Sequence, residues 1–118
     1  MSIVFLTRDL MFSSRVAGAA KQHGVALETF GDAQAAVARC EQGDVLLLIA
    51  DLSTAGLDVV TLVQALDQFA APRPRVIAFA PHVHEAKLLA AAQAGCDEVL
   101  SRGQFNTRAE QIVAACRK

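Results

Sequence analysis

The chain has 118 residues, 53% apolar and 19% charged, which suits one domain with its own core, expected over 1–118, and argues against disorder. With 11 Lys and Arg against 12 Asp and Glu the net charge is −1 and no basic stripe is present, so neither nucleic acid nor an acidic membrane surface is an expected partner. No apolar run reaches the roughly 18 residues of a bilayer span, and no basic segment precedes an apolar one at the start, so no signal peptide and a cytoplasmic location are expected.

Ile3 to Leu6 is a short apolar run and predicts the first strand. Thr7 or Asp9 can cap the helix that follows, Leu10 to His23, and Gly24 stands where a left-handed cap is expected. Val25 to Phe30 alternates, with Val25, Leu27 and Thr29 on one side, and predicts a second strand. Asp32 can cap a helix from Ala33 to Glu41, and Gly43-Asp44 turns into a third strand, Val45 to Asp51. A helix is expected from Leu57 to Phe69, followed by a stiff connection, Ala70-Ala71-Pro72-Arg73-Pro74. Val76 to Ala80 predicts the fourth strand. Glu85 to Ala94 predicts an Ala-rich helix stopped by Gly95. Cys96 to Ser101 holds the fifth strand, Arg102-Gly103-Gln104 a turn, and Phe105 to Arg117 the last helix.

Five apolar strands alternating with five helices predict right-handed crossovers and one parallel sheet covered on both faces. The run from Val45 to Asp51 is its most buried strand candidate, with six apolar residues ending on a carboxylate. In open α/β sheets, sites lie beyond the carboxyl ends of the strands, which makes Asp51 the candidate functional residue. A strand-end carboxylate that only caps a turn is the plainer alternative. The three cysteines, Cys40, Cys96 and Cys116, are odd in number and form no C-x-x-C pair, as expected of free, mostly buried thiols in a reducing compartment.

The stretch Asp51-Leu52-Ser53-Thr54-Ala55-Gly56-Leu57-Asp58 resembles a two-component receiver domain, in which the phosphoacceptor Asp is often followed five residues later by Gly, then an apolar residue and Asp. Ala91-Ala92-Gln93-Ala94-Gly95-Cys96-Asp97-Glu98-Val99-Leu100 is similar to the same family's junction into its last strand. The resemblance implies the doubly wound CheY-like, flavodoxin-like (βα)5 fold, strand order 2-1-3-4-5. It implies a signalling role with Asp51 at the phosphoacceptor position. The expected partners are proteins: a histidine kinase, an output domain or another signalling protein, with homodimerisation through the fourth helix, fifth strand and last helix. The Ala-rich face Ala86, Ala90, Ala91 and Ala94 belongs to that region, and packing against the sheet is its simpler explanation.

Several positions depart from the family pattern. The Pro before Gly56 is Ala55, and the Gly after Asp58 is Val59. The family's adjacent acids after the first strand, which help hold Mg²⁺, fall on Thr7 and Arg8, with Asp9 one residue further along. The Ser or Thr that senses the phosphoryl group falls on Ala80, the phosphate-holding Lys on Arg102, the Pro after it on Gly103, and the switching aromatic near Val99. The third strand is also about two residues longer, counted from Asp44, than the family usually shows.

The expectation is therefore a degenerate receiver, a pseudo-receiver, with no cofactor and no enzymatic activity, working by protein–protein interaction. Mg²⁺ belongs here only if Asp51 and Asp9 still bind it. A guanidinium in the metal's place would attract Asp51 with a gross Coulomb energy of about 4 kcal/mol at ~4 Å and an effective dielectric near 20. Arg8, together with Arg102, is accordingly expected to pair with Asp51, a solvated surface arginine being the plainer reading of Arg8. The alternative is a working response regulator, phosphorylated on Asp51 with an atypical metal site. A flavodoxin-like enzyme or nucleotide binder is a third reading, against which stands the lack of a Gly-rich phosphate turn after the first strand. His82, His84 and Glu85 form an H-x-H-E loop that is polar on the plain reading and a metal site on the sharper one. His23 is expected at a helix C-terminus.

Overall fold

A computed structural model describes residues 2–70 and 72–117. Met1, Lys118 and Ala71, the last within the connection expected to be stiff, lie outside the described residues. The elements are β1 (Ser2–Leu6), α1 (Leu10–Gln22), β2 (Ala26–Phe30), α2 (Ala33–Glu41), β3 (Val45–Asp51), α3 (Val59–Asp67), β4 (Arg75–Ala80), α4 (Glu85–Ala94), β5 (Glu98–Ser101) and α5 (Arg102–Ala115). The strands form one parallel sheet, as the alternation of apolar runs predicts, in the order β2-β1-β3-β4-β5 that the resemblance implies. No helix among the described residues is long and apolar enough to cross a membrane.

Side-chain alternation along the central strands feeds two cores. Ile3 and Phe5 of β1, with Leu47 and Ile49 of β3, pack beneath α1 and α5. Val4 and Leu6, with Leu48 and Ala50, pack beneath α2, α3 and α4. On the α1/α5 side, the rings of Phe79 and Phe105 stack at 4.4 Å, and Phe12 meets both edge-on with centroids 5.4 Å away. This cluster draws the first turns of α1 and α5 together over the carboxyl end of the sheet.

Helix boundaries follow capping chemistry. The Asp58 carboxylate accepts from the Val60 and Thr61 amides, so α3 starts at Val59 rather than at Leu57. Ser101 and Gln104 form a capping box, which starts α5 at Arg102, three residues before the expected Phe105. The residues read as a turn are the helix's first turn. Gly95 closes α4 with φ +99°, a left-handed conformation that glycine adopts without steric cost. The β1–β3 register steps from Ser2↔Val45 to Ile3↔Leu47, so Leu46 is an extra, bulged residue. β2, an edge strand, starts at Ala26 rather than Val25; Val25 just before it and Leu27 within it pack against the core, but Thr29 is exposed. On α4, Ala91 is buried and Ala90 and Ala94 are half-buried against the sheet, while Ala86 is exposed.

Candidate functional site

Asp51 ends β3 between β1 and β4 and is only 5% exposed. Backbone pairing holds it there: the Leu52 amide donates to the Phe79 carbonyl at 2.9 Å, and the Thr54 amide to the carbonyl of Asp51 itself at 3.0 Å. Both carboxylate oxygens accept hydrogen bonds. The Thr7 hydroxyl donates to Oδ2 at 2.7 Å and the Ser53 amide to Oδ1 at 3.0 Å. Thr7 is itself buried, tied to the end of β2 by its amide, which donates to the Phe30 carbonyl at 2.9 Å. The Thr7 hydroxyl oxygen also accepts from the Asp9 amide at 3.1 Å. A burial this deep is tolerable for a carboxylate because its lone pairs are met by well-placed donors.

The expected pairing of Arg8 with Asp51 is not formed. Arg8 is exposed, and its Nε donates to the Gly31 carbonyl at 2.8 Å, which turns the guanidinium toward the β2–α2 loop. A neutral carbonyl reached at the surface replaces the buried ion pair, whose desolvation would have offset much of the Coulomb gain. Arg102 does not pair with Asp51 either. Its Nη2 lies 2.6 Å from Oδ2 of Asp9, and its guanidinium carbon 5.0 Å from the centroid of the Phe12 ring. Asp9 is also the N-cap of α1, its Oδ1 accepting from the Phe12 amide at 2.9 Å. The Phe12 amide and then the Arg102 guanidinium hold the Asp9 carboxyl below its ordinary value. Among the described residues no cation lies within ion-pair distance of Asp51.

Ala80 is fully buried at the end of β4, opposite Ser101 of β5, and offers no hydroxyl toward the site. Val99, near which the resemblance puts a switching aromatic, pairs with Ala78. His82 and His84 are both exposed, and His84 precedes α4 without a side-chain capping bond. Among the described residues no group of three or more His, Cys, Asp or Glu is placed to share a metal ion. His23 caps the C-terminus of α1, with Nε2 3.2 Å from Oε1 of Glu110. Cys40, Cys96 and Cys116 are free, and burial pushes each thiol up, Cys40 to about 11. Thr54, whose amide donates to the Asp51 carbonyl, is not singled out by sequence reasoning. It is buried three residues after Asp51, and its hydroxyl has no hydrogen-bond partner among the described residues. Nothing in its sequence context marks it.

No family model matches the chain, and no curated protein matches it. Solved structures do. The signal receiver domain of a response regulator from Bermanella marisrubri superposes with a TM-score of 0.78 at 19% identity, covering 96% of this chain and 99% of that one. The receiver domain of a sensor histidine kinase from Pseudomonas aeruginosa, solved with magnesium coordinated in its active-site cleft, gives a TM-score of 0.76 at 14% identity over 95% and 96% of the two chains. The receiver domain of the Saccharomyces cerevisiae response regulator Ssk1, solved with the histidine phosphotransfer protein Ypd1, gives 0.73 at 13% identity over 86% and 78%. With the five-stranded order β2-β1-β3-β4-β5, these similarities show that the chain has the CheY-like fold of response-regulator receiver domains.

Proposed function

We propose that this domain is a two-component signalling module that works by protein–protein interaction without taking phosphate on Asp51. The observation that carries the proposal is the occupancy of the carboxylate: both oxygens accept from the protein, one from the buried Thr7 hydroxyl at 2.7 Å. Phosphoryl transfer to a carboxylate needs a divalent cation between two anions, and Mg²⁺ requires a near-octahedral set of hard oxygens. Asp51 supplies one carboxylate. The adjacent acid positions hold Thr7 and Arg8, and Asp9 is engaged by the Phe12 amide and Arg102. This donor set does not fit Mg²⁺, and no step is assigned to it.

Protein partners are supported by the Ssk1 receiver, which was solved bound to a phosphotransfer protein. The face of α4, β5 and α5 is the proposed contact. A cytoplasmic location fits the three free thiols. Catalysis on a separate substrate is no part of the proposal.

One observation favours a second reading, a response regulator phosphorylated on Asp51: with Arg8 turned to Gly31, no arginine blocks the carboxylate. Incubation with Mg²⁺ and acetyl phosphate, followed by intact-mass measurement, separates the two. The proposal expects no phosphoryl adduct. An adduct that disappears in Asp51→Asn would establish the second reading.

A further inference from the structure

A cavity of about 630 Å³ opens beside the Asp51 site, between the first turns of α1 and α5 and the β4–α4 loop. Neither Asp51 nor Thr7 lines it, while Asp9 and Arg102 do. Its lining combines the apolar Met11, Phe12 and Pro81 with the polar Asp9, Arg15, His82, Arg102 and Asn106. The volume lies in the range that holds small organic ligands, roughly 300–1,000 Å³.

The charges in this cavity do not cancel. Asp9 neutralises Arg102 through their ion pair. Arg15 has no acidic partner among the described residues: its Nη1 donates to the neutral Oδ1 of Asn106. One guanidinium is therefore uncompensated, with four of its five donors unused, and the Asn106 amide stands beside it. Arg102 spends one donor on Asp9, and its planar group lies over the Phe12 ring with the side chain 44% exposed. Guanidiniums match the oxygens of a phosphate with paired donors, and their planar faces accept a stacked ring.

We propose that this cavity binds a small phosphate monoester carrying a flat ring, a molecule of mononucleotide size. Arg15, Arg102 and Asn106 hold the phosphate, and Met11 and Pro81 form the apolar wall that covers the ring. The ligand is held by side chains from two helices rather than by the Gly-rich backbone turn that the chain lacks.

Amide NMR of the domain with 5′-AMP as probe tests this, with inorganic phosphate and adenosine as the two halves. The expected result is saturable shifts at Met11, Phe12, Gly103 and Asn106, with each half binding at least about tenfold more weakly. Arg15→Gln, a change at an exposed side chain, is expected to weaken 5′-AMP at least about tenfold while leaving the rest of the spectrum in place. Absence of saturable shifts at millimolar 5′-AMP, or binding equal in the wild type and Arg15→Gln, would overturn the proposal. Equal binding of phosphate and 5′-AMP would overturn its assignment of the ring to the apolar wall.

Discussion

Thr7 decides the character of the Asp51 site. In its place an acid would put two carboxylates side by side and ask for a cation; the hydroxyl instead donates to Oδ2 at 2.7 Å and makes a cation unnecessary for stability. Thr7→Val keeps the shape and removes the donor. It leaves Asp51 with the Ser53 amide alone and the Asp9 amide without its acceptor, and is expected to destabilise the fold by about 1–3 kcal/mol. Urea unfolding measures this; a change of only a few tenths would show that the hydrogen bond does not organise the site. This interaction is only partly legible in the sequence. Thr7 and Asp51 are both visible as strand-end residues, but donor and acceptor lie 44 positions apart, and only the β1–β3 pairing brings them together. Arg8 escapes sequence reasoning for the same reason. Its direction is set by the Gly31 carbonyl, 23 residues away at the end of β2, and no local pattern announces that acceptor.

At the scale of elements, the caps and the links between helices organise the ends of the sheet. Asp9 caps α1 with one oxygen and binds Arg102 of α5 with the other, so a single side chain connects the two helices that flank the cavity. Its pKa is depressed in the folded state, first by the Phe12 amide and then by Arg102, so the unfolded chain takes up the proton more readily. The stabilisation is therefore complete above the unfolded value of 3.8 and is lost as pH falls through the lower folded value. Thermal unfolding followed from about pH 5 to about pH 3 should show a steeper loss of stability in the wild type than in Asp9→Asn, which keeps a capping oxygen but cannot titrate. Parallel slopes would contradict this account. Arg73 acts similarly at the other end, joining Asp67 of α3 to Asp97 and to the Gly95 carbonyl after α4. The caps at Asp9, Asp32 and Gly95 are readable from residue type and position. The early start of α5 is obscured because Gly103, a poor helix former, sits in a first turn that the Ser101–Gln104 box stabilises.

Across the whole molecule, apolar runs and their alternation are enough to specify a doubly wound parallel sheet, since strands buried on both faces need helices on both sides. The site is less legible because it is made by convergence. Thr7, Asp51, Asp9 and Arg102 meet through contacts between distant parts of the chain, and their pairings depend on side-chain directions that periodicity does not encode. The fold keeps the receiver frame, with Asp51 at the carboxyl end of its central strand, and surrounds that carboxylate with a hydroxyl, an exposed arginine and a buried alanine. The most direct test of this account is a two-dimensional amide NMR titration with Mg²⁺, then with Mg²⁺ and beryllofluoride as a phosphoryl mimic. Unchanged resonances at Asp51, Ser53, Ala80 and Arg102 with both at millimolar concentration are the predicted result. Saturable shifts at those residues that vanish in Asp51→Asn would contradict it and show a pocket still competent for phosphate.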